Sequence, residues 1–174
     1  MVECTDLFEE TLNREVTEYL ELTPIYDETT EGEDYEYIAS AKLKFKCPVC
    51  ENKWTTAHGT VKFVYYLYFK KRILFVQVYI YQQRCLPCNR MASFKTYDDE
   101  AVRLSYDFVD FIDRKYFGGE NDEERPQRNS RAINNHKVLY CDACERGICV
   151  YLRRLRREQR RQTEEQKRET QDIS

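Results

Sequence analysis

Cysteine spacing constrains this chain more than any other feature. Seven of its eight cysteines fall in an ordered series: Cys47-Pro48-Val49-Cys50, then Cys85-Leu86-Pro87-Cys88, then Cys141-Asp142-Ala143-Cys144 and Cys149, with His136 standing five residues before Cys141. A pair of cysteines two residues apart lets one tight turn aim both thiolates at the same ion at about 2.3 Å, leaving two tetrahedral positions for another segment. Scattered buried or redox cysteines have no reason to repeat this spacing three times. The eight ligands therefore predict two closed four-ligand zinc sites.

Two such turns at opposite ends of a strand hairpin make a ribbon-type site, so the expected pairing is Cys47 and Cys50 with Cys85 and Cys88. The second site is then local, from His136, Cys141, Cys144 and Cys149. The other arrangement crosses the chain, with Cys141 and Cys144 joining one earlier turn. A catalytic zinc needs an open coordination position and a nearby acid or base, and a site of four cysteines has neither. The chain is expected not to be an enzyme. His58, in Thr56-Ala57-His58-Gly59, has no vacancy to fill and reads as structural or surface, and Cys4, far from the series, reads as a free thiol.

The rest of the 174 residues reads as an α+β fold: a zinc-stabilised antiparallel hairpin or sheet, one packed helix and charged helical tails. Phe8, Leu12, Val16 and Tyr19/Leu20 recur at helical spacing, predicting an amphipathic helix over 5–20 that Pro24 ends. Residues 26–36 are acidic and aperiodic, a connector. From Ala41 the period becomes two, with Leu43 and Phe45 on one side and Lys42, Lys44 and Lys46 on the other. Residues 60–69 and 72–83 are dense in Val, Ile, Phe and Tyr and predict a hairpin turning near Lys70-Lys71. Both faces of that hairpin are apolar or aromatic, Phe63, Tyr65, Leu67 and Phe69 against Val64, Tyr66 and Tyr68. The face that is not core is either covered by a helix or offered to a partner.

Asp98-Asp99-Glu100 at a helix start and Gly118 at its end bracket an expected helix of about five turns. Residues 119–135 read as a polar loop. Residues 150–170 are helical in composition but almost uniformly charged, so they form a helix only where something holds them. The organisation is thus an acidic helix and linker over 1–40, a zinc-bearing unit over 41–149 and an Arg-rich tail over 150–174.

Charge is strongly segregated behind a net value of −3. Residues 1–40 hold thirteen acids against Arg14 alone, residues 41–95 hold eleven bases against Glu51 alone, and residues 151–161 hold six arginines against Glu158. Lys42, Lys44, Lys46, Lys62, Lys70, Lys71 and Arg72, with Arg153, Arg154, Arg156 and Arg157, are the candidate contacts for nucleic acid or another anionic partner. Rings flanked by Lys and Arg suit stacking of single-stranded bases. No stretch approaches the roughly 20 apolar residues that span a bilayer, and the first residues lack the pattern of a signal peptide. A cytoplasmic protein with reduced thiols is expected.

Together these residues resemble the 3CxxC-type zinc finger of the receptor-transporting proteins, to which the zygote arrest proteins are more distantly similar. The resemblance runs from Phe45 to Cys149. It rests on Phe45-Lys46-Cys47-Pro48-Val49-Cys50, Trp54 with Thr56-Ala57, Gln83-Arg84-Cys85-Leu86-Pro87-Cys88, Tyr116-Phe117-Gly118, His136, and Cys141-Asp142-Ala143-Cys144-Glu145-Arg146-Gly147-Ile148-Cys149. It implies an accessory, chaperone-like protein that binds G-protein-coupled receptors, such as chemosensory receptors, and helps them reach the cell surface. It also implies a second class, since members and distant relatives bind RNA in antiviral defence or translational control. Vertebrate members carry a membrane-spanning segment at their end. Here Cys149 and Val150 are followed by Tyr151-Leu152-Arg153-Arg154-Leu155-Arg156-Arg157, so only peripheral contact with the endoplasmic reticulum or plasma membrane is expected.

Overall fold

The computed structural model describes residues 6–26, 35–120 and 136–172. The expectations for Cys4, for connector residues 27–34 and for loop residues 121–135 lie outside these residues. The β-branched and aromatic stretches form five strands: β1 (Thr23–Ile25), β2 (Tyr35–Lys46), β3 (Lys53–Tyr68), β4 (Ile73–Ile80) and β5 (Ser93–Thr96). They lie in the order β1-β4-β3-β2-β5. Helices α1 (Asp6–Arg14), α2 (Asp98–Tyr116), α3 (Asp142–Glu145) and α4 (Val150–Asp172) complete the α+β fold.

The expected hairpin is β3–β4, closed by a 3-10 turn at Phe69–Lys71 in which Arg72 takes a left-handed conformation. Both strands differ in length from the sequence pattern: β3 reaches back to Lys53 and β4 stops at Ile80. β2 likewise starts at Tyr35, inside the expected connector, because Tyr35–Ala41 find a complete antiparallel partner in β3. The sheet is mixed rather than purely antiparallel, since β1 pairs parallel with β4 through Thr23–Ile73 to Ile25–Phe75. Pro24 therefore does not end the first helix but sits in a short edge strand, where a missing N–H is tolerated. The helix ends earlier, at a π turn over Glu15–Tyr19, and Glu21 follows at φ 51°.

That π turn has a packing reason. Phe8, Leu12, Val16 and Leu20 repeat every four residues and all are buried. On a regular α-helix such a repeat drifts by about 40° per step, and the wider turn rotates less per residue, keeping Leu20 in line with the core.

α2 buries Ala101, Leu104, Ser105, Phe108, Val109 and Ile112, the i, i+3, i+4 stripe of an amphipathic helix. This stripe covers the Phe63, Tyr65 and Leu67 face of the hairpin, with Phe108 stacked on Phe63 at 4.5 Å between centroids. α1 joins the same core, Phe8 lying 5.9 Å from Phe63. Of the rings assigned to this face, Phe69 alone leaves it, because it enters the turn and stands exposed. The opposite face, with Val64, Tyr66 and Tyr68, is half-exposed. Gly118, at φ 77°, supplies the left-handed residue that closes α2.

A β-bulge separates Ala41 from Leu43, leaving the Lys42 amide outside the regular ladder. Its N–H is accepted by Glu100 Oε2 at 2.8 Å, and Glu100 is itself only 3% exposed. Arg103 completes the arrangement, donating to Glu100 at 2.9 Å, to the Ser40 carbonyl at 2.7 Å and to Asp107. A carboxylate in the first turn of α2 thus satisfies a backbone donor on β2 and fixes the helix over the sheet.

Gly59 lies opposite this bulge. A Cβ there would stand 2.9 Å from the Ala41 carbonyl oxygen and 2.4 Å from Leu43 Cδ1. Gly59→Ala is expected to destabilise the fold by about 1–3 kcal/mol through overpacking, read as a lowered midpoint in urea unfolding; an unchanged midpoint would show that the two strands separate freely at this point.

Candidate metal centres

The first centre is built by two turns of the same construction. The Cys47 amide donates to the Asn52 carbonyl at 2.9 Å, and the Cys85 amide to the Arg90 carbonyl at 2.8 Å. In each turn the residue after the second cysteine, Glu51 or Asn89, is left-handed, at φ 58° and 55°. Neither this requirement nor the supporting contact from Asn52 Nδ2 to Cys85 Sγ at 3.8 Å was read from the sequence. The matched positions of Glu51 and Asn89 behind two identical spacings are the signal that carries the former.

The four sulfurs converge without bridging. Cys47 Sγ lies 3.4 Å from Cys88 Sγ, Cys50 Sγ lies 3.5 Å from Cys85 Sγ, and Cys88 Sγ lies 3.7 Å from Cys50 Sγ. A tetrahedral zinc holding thiolates at about 2.3 Å sets neighbouring sulfurs roughly 3.7–3.8 Å apart. A disulfide needs about 2.05 Å, and all seven described cysteines are free.

The second centre is local. Cys141 precedes the single turn of α3, Cys144 lies within it, and Cys149 stands at the threshold of α4, its carbonyl accepting the Arg153 N–H at 3.0 Å. His136 Nε2 approaches Cys144 Sγ at 3.3 Å and Cys149 Sγ at 3.6 Å. Mixed nitrogen and sulfur ligands on one tetrahedral zinc stand roughly 3.5 Å apart. The four ligand atoms lie within 4.8 Å of one another, as do those of the first centre, and all four residues are buried. His136 Nδ1 is buried with no hydrogen-bond partner among the described residues.

The donors' own electrostatics call for a cation. Donation from the Cys141 thiol, then from His136, holds Cys149 down at about 3, and sharing that proton with Cys149 pushes Cys141 up. Backbone donation from Cys50 lowers Cys47 to about 6. Four thiols packed together cannot all ionise while their charges repel. A dication removes that conflict by neutralising them jointly, so metal binding and folding are one equilibrium. Both donor sets, soft thiolates with at most one imidazole, fit zinc.

A short segment joins the two centres. Gln83 forms an isolated bridge with Cys141. Arg84 N–H donates to the Tyr140 carbonyl at 2.7 Å, and Asp142 N–H to the Gln82 carbonyl at 3.2 Å. Gln83 Oε1 also accepts from Trp54 Nε1 at 2.9 Å. Cys85, a ligand of the first centre, follows directly. His58 takes its place beside the second centre, its ring 4.6 Å from Tyr151 and 6.0 Å from His136, and is not among the converging ligand atoms.

Residues 40–147 match the 3CxxC zinc-ribbon family, described as a zinc-binding domain. The chain belongs to that family. The matched segment contains every ligand except Cys149, which lies two residues past it. No curated protein and no solved structure matches the chain.

The basic residues are brought together less closely. Lys42 and Lys44 share the ring of Tyr97, at 4.5 and 3.9 Å. Lys46 pairs with Glu51, Lys62 with Glu36 and Arg72 with Glu21. Arg72 also clasps the Leu20 and Glu21 carbonyls, tying the end of the first helix to the hairpin turn. Arg153, Arg154, Arg156 and Arg157 are exposed on α4, Arg154 pairing with Glu158.

Native mass spectrometry is expected to find two zinc ions per chain. Cys85→Ser should leave one, because the second centre keeps all four ligands. Two ions in that variant would refute the assignment of ligands. His136→Ala should weaken the second ion by roughly 10–100-fold or more in chelator competition, the range by which even supporting residues around a metal act.

Proposed function

We propose that this chain is a non-catalytic, zinc-scaffolded accessory protein resembling the receptor-transporting proteins, which binds G-protein-coupled receptors and promotes their delivery to the cell surface. It acts from the cytoplasm, at the endoplasmic reticulum or plasma membrane. The observation that carries this reading is the closure of both centres by four protein ligands each. Zinc with no free coordination position orders the chain rather than activating water, which leaves binding as the task of the exterior.

The zinc-ordered turns present apolar side chains outward. Val49 and Leu86 stand exposed at the tips of the two cysteine turns, and Leu139 is 89% exposed in the 3-10 turn Val138–Tyr140. The bond from Arg84 to Tyr140 holds that turn beside the second tip. Exposed aliphatics on rigid turns suit the apolar surface of a protein client. Among the described residues no helix is long and apolar enough to cross a membrane.

A second reading, zinc-dependent RNA binding, is favoured by α4. Its six arginines between 153 and 161 cover an arc of roughly 160° at 100° per residue, while Tyr151 and Leu152 pack against the second centre. Co-expression with a poorly trafficked chemosensory receptor should raise the receptor's surface signal, and Val49→Ser with Leu86→Ser should lose most of that gain. No gain from the unaltered chain would remove the receptor reading. In filter binding to single-stranded RNA, a slope of log affinity on log salt of about −3 or steeper, reflecting four or more phosphates, would favour the second.

A further inference from the structure

At the end of β3 opposite the first cysteine turn, two segments separated by more than forty residues meet, and each combines phenylalanine with lysine. The β3–β4 turn reads Phe69-Lys70-Lys71, and the end of α2 reads Lys115-Tyr116-Phe117. Phe69 is 52% exposed and Phe117 43% exposed, yet their rings touch, with centroids 6.0 Å apart. Phenylalanine has no polar atom to hydrate, so two half-exposed rings brought together by tertiary structure form a patch rather than scattered surface residues.

Among the described residues the positive charges of the two segments are not all paired, although Glu120 stands exposed three residues beyond Phe117. The neighbouring arginines are neutralised, Arg72 by Glu21 and Arg114 by Asp110. Lys70, Lys71 and Lys115 have no carboxylate partner among the described residues. The Lys115 ammonium donates to Tyr65 Oη at 2.7 Å and stands over the rings of Tyr35 at 4.5 Å and Tyr116 at 5.1 Å, which holds one positive charge beside Tyr116, the ring that Phe69 meets. Lys71 lies over Tyr68 at 5.2 Å.

We propose that this tip is a docking site for an anionic membrane surface, Phe69 and Phe117 entering the boundary between headgroups and acyl chains while Lys70, Lys71 and Lys115 face lipid phosphates. The geometry favours a bilayer over nucleic acid. Phe69 meets the Tyr116 ring at 70° and the Phe117 ring at 57°, so the rings form a wedge instead of the flat, open platform on which bases stack. A wedge at a hairpin turn and a helix end presents itself to a flat surface without needing a complementary groove. Rings at the interface with basic residues at headgroup level are the combination that holds proteins at anionic leaflets. This site is distinct from the cysteine-turn tips and does not depend on the receptor reading.

The test is co-sedimentation of the full zinc-loaded chain with vesicles of phosphatidylcholine, alone or with about a third phosphatidylserine. Binding is expected to the anionic vesicles only, weakening as salt rises. Phe69→Ser with Phe117→Ser, and separately Lys70→Glu with Lys71→Glu, should each reduce apparent affinity at least about tenfold while both zinc ions and the thermal midpoint are retained. Should the double lysine variant fail to fold, Lys70→Glu alone should still weaken binding measurably. Equal binding of wild type and variants to anionic vesicles would overturn the proposal. So would no binding by the wild type, or loss in the variants of single-stranded RNA binding with vesicle binding intact.

Discussion

Convergence of four sulfurs from two turns thirty-five residues apart is the contact on which the rest of the molecule depends. Cys47 follows β2 directly and Cys85 lies five residues beyond β4, so one ion ties the ends of two strands that both pair with β3. The constraint then passes along Gln82–Cys85, whose backbone carries the bridge to Cys141 and the bonds to Tyr140 and Asp142. The second centre continues it into α4, which begins at Val150, directly after Cys149. Sheet, first ion, linking segment, second ion and terminal helix are thus joined in series.

Apolar packing does the remaining work at the other end of the sheet. α1 and α2 bury one face of β2, β3 and β4 around the large rings of Phe63, Tyr65 and Phe108, with Leu, Val and Ile side chains filling the space between them. Two polar groups in this core stabilise each other: Glu100 satisfies the Lys42 amide left over by the bulge, and Arg103 satisfies Glu100. An orphaned amide at that depth costs about 1–3 kcal/mol, so the helix and the irregularity of the strand stabilise each other. Charge is arranged by the same logic. Of the bases over 41–95, Lys46, Lys62, Arg72 and Arg84 are occupied with carboxylates, while Lys42 and Lys44 share the Tyr97 ring.

Much of the fold was legible where a local rule fixes the outcome. The spacing of α2's apolar residues, its acidic first turn and Gly118 bounded that helix to within a residue. The β3–β4 hairpin was legible from its β-branched and aromatic density, but its limits were not. Tyr35–Ser40 become strand because they pair with Thr60–Tyr65, and Lys53–Gly59 because they pair with Ala41–Lys46, and pairing is not a property of any one segment alone. β1 was misread for the same reason: Pro24 signals a break, and only a parallel neighbour makes Thr23–Ile25 an edge strand.

At the metal centres the sequence by itself determined the ligand types and the two turns that carry them, because thiolate spacing is a local geometric property. It left two pairings open. The tertiary structure decided between them, since only the folded sheet brings Cys47 and Cys50 to Cys85 and Cys88 while α3 and the start of α4 close on His136. It alone also set His58 beside the second centre and brought Phe69 to Phe117, for these neighbours are chosen by how β3 and α2 lie against the rest of the chain, and residue type carries no record of that.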